Sequence, residues 1–166
     1  MLAGMGAKEV IDFHHILTEF PCRLDGGDCG VSCDVPFKCC GLRPQVPLLP
    51  GEGAFLADNG LLVGFHRQLE VDVYPCPGRE KCPGELRPIS CKSFPLAPGL
   101  ACLTVSQVCP RHGSLSPTFI NEVRGLWLYV LSNSRDAAAW VAKVTDWAWS
   151  KENRIPLWRV NRVPSA

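Results

Sequence analysis

Ten cysteines lie between Cys22 and Cys109, and none follows. They run Cys22-x6-Cys29-x3-Cys33-x5-Cys39-Cys40, then Cys76-x5-Cys82-x8-Cys91, then Cys102-x6-Cys109. A core uses cysteine singly, as a small apolar residue, so ten in one window call for another cause. Thiolates are soft ligands that suit zinc and iron–sulfur clusters. A tetrahedral zinc site draws four of them to about 2.3 Å from one point. Short spacers let sulfurs converge at small closure entropy, and Gly26, Gly27 and Gly30 permit the tight turns this needs. Neighbouring side chains such as Cys39 and Cys40 point in different directions. Both ligate only in a polynuclear cluster or beside two metals, and a disulfide between them would be strained. The thiols exceed the need of one zinc, and an all-sulfur site fits zinc and iron–sulfur alike. Against metal binding stand a disulfide scaffold, which needs an oxidising compartment, and redox-active or simply buried cysteines. The chain has no Cys-x2-Cys pair of the thioredoxin kind.

Other chemistry is sparse. His14 and His15 fall in a helical pattern and read as packed or surface residues, which leaves His66 and His112 as the histidines near cysteines. The acids of the cysteine-rich half, Glu52, Asp58, Asp72 and Glu85, have no legible partner and read as solvated surface. No Ser–His–Asp arrangement is present. The net charge is +1 with scattered Lys and Arg, which gives no electrostatic footprint for nucleic acid. Lys151, Arg154, Arg159 and Arg162, interleaved with Trp158, read as an ordinary C-terminal surface. No run approaches the roughly 20 apolar residues of a membrane span, and residues 1–10 lack a signal-type apolar run. The expectation is a cytoplasmic protein with reduced thiols and no membrane or nucleic-acid partner; a protein partner is not legible.

The elements that would position the sulfurs follow from periodicity. With 166 residues, 46% hydrophobic and 20% charged, the chain is expected to form a single domain, 1–166. Val10, Phe13, Ile16, Leu17 and Phe20 predict an amphipathic helix over 7–20, ended by Pro21. Residues 22–40 read as a loop that a metal would have to hold. Residues 47–52 read as an apolar turn, with a short helix over 53–57. Strands are predicted over 61–65 and 69–74, after a turn at Asn59-Gly60. Residues 75–98 read as loop. Ser116-Pro117 opens a helix with Phe119, Ile120, Val123, Leu126, Trp127, Val130 and Leu131 on its apolar face. A second helix starts near Ser134, with Asp136 in its first turn, and buries Ala137, Trp140, Val141, Val144, Trp147 and Ala148. The expected fold class is α+β. A small, mostly irregular, metal-pinned cysteine-rich half with short strands (20–110) would pack on the N-terminal helix and a C-terminal antiparallel helix pair (114–152).

Phe20-Pro21-Cys22, Cys29-Gly30 and Cys39-Cys40 resemble the Cys-x2-Cys-Gly-x-Cys-Cys opening of the YkgJ-like cysteine-cluster proteins, described as zinc- or iron-chelating domains. Cys82, followed by Arg87-Pro88-Ile89-Ser90-Cys91-Lys92-Ser93-Phe94-Pro95-Leu96, is similar to that family's second signature, a Cys followed by Arg-Pro-x-x-Cys-Arg-x-Phe-Pro. Leu49-Pro50-Gly51-Glu52 and Cys109-Pro110 resemble the linker and trailing Cys-Pro of a subgroup. Here the first signature is stretched by insertions over 25–28 and 34–38 and carries an extra Cys33. The resemblance implies Cys22, Cys29, Cys39 and Cys40 as ligands; spacing equally allows Cys33 in place of Cys22. Cys82 and Cys91 carry over, then Cys76 and Cys109, while Cys102 hardly does. Pro88 would stiffen the turn before Cys91, and Arg87 would hydrogen-bond sulfurs or carbonyls nearby. The function implied is metal binding, with zinc or an iron–sulfur cluster undecided. A closed all-thiolate site has no open position for substrate. The alternative is an iron–sulfur-dependent, lysine N-methylase-like enzyme using S-adenosylmethionine, although the chain has no Gly-x-Gly after a predicted strand and no Cys-x3-Cys-x2-Cys. A thiol-redox or metal-delivery role is the third.

Overall fold

The computed structural model describes residues 45–60, 66–68, 70–75, 87–109, 111–134, 136–146 and 153–157. The helix expected over 7–20, the cysteine loop 22–40, the strand 61–65 and the helical end at Trp147 and Ala148 lie outside these residues.

Two short antiparallel sheets and four helical segments make up the described fold, which is α+β. In the first sheet, β3 (Val71–Pro75) is central, flanked by β1 (Gln45–Leu48) and β2 (His66–Gln68). Val71 and Val73 are buried and Asp72 is half-buried, the alternation that one covered face requires. Between β1 and β2 runs α1 (Glu52–Asp58), which buries Leu56. Residues 45–48 form an edge strand, so of the apolar turn expected over 47–52, Pro47 and Leu48 are strand and residues 49–52 are the turn. Val46 pairs with Tyr74 and Leu48 with Asp72, and an edge position tolerates Pro47, which has no N–H to give.

The second sheet has the order β4 (Leu96–Pro98), β5 (Leu103–Ser106), β6 (Arg154–Pro156). The single helical turn α2 (Ile89–Lys92) precedes β4. Residues 75–98 are therefore not all loop: hydrogen bonds of Lys92 N to Pro88 O and Ser93 N to Ile89 O close a turn inside a stretch dense in proline. β6 recruits part of the basic C-terminal stretch. Arg154 is half-buried rather than plain surface, and its Nη1 donates to Pro95 O at 3.0 Å.

The long helix α3 (Pro117–Asn133) begins as expected. Ser116 is its N-cap, the Ser116 hydroxyl accepts from Phe119 N at 3.2 Å, and Pro117 takes the first helical position. Phe119, Val123, Leu126, Trp127 and Val130 are buried, at three- and four-residue steps. Burial of each such large side chain contributes about 1.5–3 kcal/mol. Ile120 is half-buried and Leu131 lies at the exposed margin. The next helix, α4 (Ala137–Val144), buries Ala137, Trp140, Val141 and Val144, and Trp127 stacks on Trp140 with ring centroids 6.0 Å apart. These helices share one apolar core with Val46, Leu48, Leu49, Leu56, Val71, Val73, Ile89, Leu96 and Val105. No helix among the described residues is long and apolar enough to cross a membrane.

Candidate functional site

Leu49-Pro50-Gly51-Glu52 is a tight turn. Glu52 N donates to Leu49 O at 3.0 Å, and Gly51 has φ 82° and ψ −16°. Proline at the second position and a left-handed glycine at the third are what a type II turn requires. Pro50 and Gly51 face solvent, whereas Glu52 has no exposed surface. Its expected place among solvated acids is thus corrected: the turn swings the side chain inward, beneath Leu49 and towards Ile89.

The buried carboxylate is fully engaged. Oε2 accepts from Leu49 N at 2.8 Å, closing the turn a second time, and Oε1 accepts from Ile89 N at 2.7 Å, from a residue 37 positions away. Burial pushes the Glu52 carboxyl up to about 7; the N–H groups of Ile89 and Leu49 and the nearby charge of Lys92 pull the other way. Lys92 is itself buried, at 3% exposure.

Two further side chains complete the frame. Ser90 Oγ donates to Pro47 O at 2.7 Å, and Trp140 Nε1 donates to Leu48 O, also at 2.7 Å. Pro47 O, Leu48 O and Leu49 N, in three successive residues, are thus satisfied by side chains from α2, α4 and α1. Each of these hydrogen bonds ties its element to residues 47–49.

Cys91 sits on α2, one residue after Ser90 and two after Ile89. It is half-buried and packs against the core. Cys91 N donates to Pro88 O at 2.8 Å. Pro88 is buried and Arg87 half-buried. Ser93, two residues beyond Cys91, has no exposed surface, and its hydroxyl has no hydrogen-bond partner among the described residues. Cys109 is 1% exposed, follows β5, and its carbonyl lies 2.7 Å from His112 Nδ1. Cys102, at the turn between β4 and β5, is exposed. None of Cys91, Cys102 and Cys109 is in a disulfide.

Of the nine sulfurs expected to ligate, Cys91 and Cys109 belong to the described residues. Cys22, Cys29, Cys33, Cys39, Cys40, Cys76 and Cys82 lie outside them. Among the described residues no three His, Cys, Asp or Glu side chains gather into a group that could hold a metal ion. Sequence reasoning missed Glu52, Ser90 and Trp140 as framing residues. The Pro-Gly step before a lone acid was a legible sign of a turn; the partner 37 residues away was not. Compared with known proteins, the chain matches no family model, no curated protein and no solved structure.

Proposed function

We propose that this chain is a cytoplasmic metal-binding protein that holds zinc or an iron–sulfur cluster through its cysteines, with Cys91 as a central ligand and Cys109 as a candidate beside it. One observation carries the proposal: Cys91 lies on a helical turn tied to the rest of the molecule on the two residues immediately before it, by Glu52 to Ile89 N and by Ser90 Oγ to Pro47 O. Metal sites need ligands held by such outer contacts. The donor chemistry fits as well. Cys91 offers a soft sulfur, and the buried Ser93 hydroxyl is a donor with no described acceptor two residues away. The likeness of residues 87–96 to the second signature of the YkgJ-like cysteine-cluster proteins supports the same conclusion, and the remaining sulfurs would come from the segments bearing Cys22 to Cys40 and Cys76 to Cys82.

Elemental analysis and an ultraviolet–visible spectrum of anaerobically purified protein test this. Stoichiometric zinc in a colourless sample, or iron with a broad visible band, is the expected result. Cys91→Ala should then lose most of the metal; a variant with full metal content would remove Cys91 from the ligand set, and wild-type protein with neither metal would end the proposal. The alternative, a lysine N-methylase-like enzyme using S-adenosylmethionine, rests on the family resemblance, and calorimetric titration with that cosubstrate decides it.

A further inference from the structure

A helical turn of four residues has no stability of its own. Where the Ile89–Lys92 turn sits, and where its thiol points, is decided by what grips it. On its C-terminal side the chain runs into β4, which is paired to β5 through Leu96 and Val105. On its N-terminal side the Ile89 side chain is buried in the core, and two hydrogen bonds fix the turn there: Glu52 Oε1 accepts from Ile89 N and Ser90 Oγ donates to Pro47 O, each at 2.7 Å. Glu52 is in turn fixed by Leu49 N at 2.8 Å on its other oxygen and by the turn that Leu49 O and Glu52 N close. A carboxylate is costly to bury, and an apolar side chain would fill the same space. What the acid alone provides is a pair of acceptors aimed at two N–H groups from segments 37 residues apart.

We propose that Glu52 is the positioning residue of the metal site: it acts through Ile89 to hold the Cys91-bearing turn against β1, so that the thiol is presented in one orientation. This rests on the metal-binding function proposed above. Glu52 needs no contact with the metal. Its removal frees the amide end of the turn, and the ligand two residues on loses its fixed direction. Loss of such outer contacts weakens metal binding by about 10- to 100-fold.

The experiment compares wild-type protein with Glu52→Gln, Ser90→Ala and Leu56→Ala. Leu56 is fully buried in the same helix as Glu52, so Leu56→Ala perturbs the core without cutting either tie to the Cys91 turn. Release of the copurified zinc or iron into a chromogenic chelator is followed at pH 7. The thiolate charge-transfer spectrum of each protein loaded with cobalt(II) reports ligand geometry. Glu52→Gln should release metal about tenfold faster or more and shift or weaken the cobalt(II) spectrum. Leu56→Ala should release metal within about twofold of wild type and keep the wild-type spectrum, although it loses stability. Ser90→Ala should shift both readouts in the direction of Glu52→Gln. If Glu52→Gln matches Leu56→Ala in both, Glu52 is merely structural and the proposal is overturned. If Glu52→Gln does not fold, Glu52→Asp, which keeps the carboxylate but shortens its reach to Ile89 N, decides, and release and spectrum matching Leu56→Ala overturn the proposal. A wild-type protein that binds no metal removes the proposed function and this inference together; metal bound equally by wild type and Glu52→Gln removes this inference alone.

Discussion

A carboxyl group with no accessible surface, between the N–H groups of Leu49 and Ile89, holds its proton more tightly in the folded chain than in the unfolded one. Its folded value of about 7 stands above the ordinary 4.5, so between those values the folded state binds the extra proton. The stability this group contributes is complete below the lower value and declines as pH rises to the upper one, by about 3 kcal/mol in all. Glu52→Gln cannot titrate, and its amide nitrogen faces an N–H that the carboxylate accepted. In urea unfolding of the metal-free proteins, the advantage of wild type over Glu52→Gln should therefore be greatest near pH 5 and shrink or reverse by pH 7.5. A difference between the two that does not change with pH would show that Glu52 titrates as an exposed acid does. Ser90 and Trp140 play a simpler part, each donating to a carbonyl of β1.

At the scale of elements, the turn of residues 49–52 decides what Glu52 can do. Gly51, at φ 82°, is its hinge, and a residue with a Cβ pays about 1–2 kcal/mol to occupy left-handed space. Gly51 is solvent-exposed, and its positive φ sets the conformational cost of a substitution there. Gly51→Ala should lower stability by about 1–2 kcal/mol in denaturant unfolding; an unchanged midpoint would show that the turn relaxes to another form. The helices were easier to read than the strands. The Ser116-Pro117 start and the buried stripes of α3 and α4 follow from local periodicity. β1, β4 and β6 are three or four residues long and rich in proline, and they exist because other strands pair with them: Val46 with Tyr74 and Val105 with Ile155 from far along the chain, and Leu96 with Val105 across a hairpin.

For the whole molecule, the described core closes without sulfur ligands. Trp127, Trp140, Leu126, Val130, Leu48, Ile89 and Val105 belong to one apolar cluster, and Cys91 packs at its edge. If the cysteines hold a metal, its removal should not unfold everything. After anaerobic chelation, amide hydrogen exchange should keep residues 117–133 protected, while protection falls at residues 89–93 and in the cysteine-bearing segments. Uniform loss of protection across all of them would instead tie the metal to the stability of the entire domain.

Composition, cysteine spacing and helical periodicity determined on their own that this is an α+β chain with a candidate thiolate site and two tryptophan-bearing apolar helices, because each is a property of neighbours along the chain. The tertiary structure alone decided that Glu52 is buried, that residues 45–48 are an edge strand, and that the turn carrying Cys91 is tied to Pro47 of that strand and to Glu52 just beyond it. The physical reason is distance along the chain: a hydrogen bond between residues 37 or 92 positions apart leaves no periodic trace, and a carboxylate's preference for water is overruled only when folding brings two otherwise unpaired N–H groups to it.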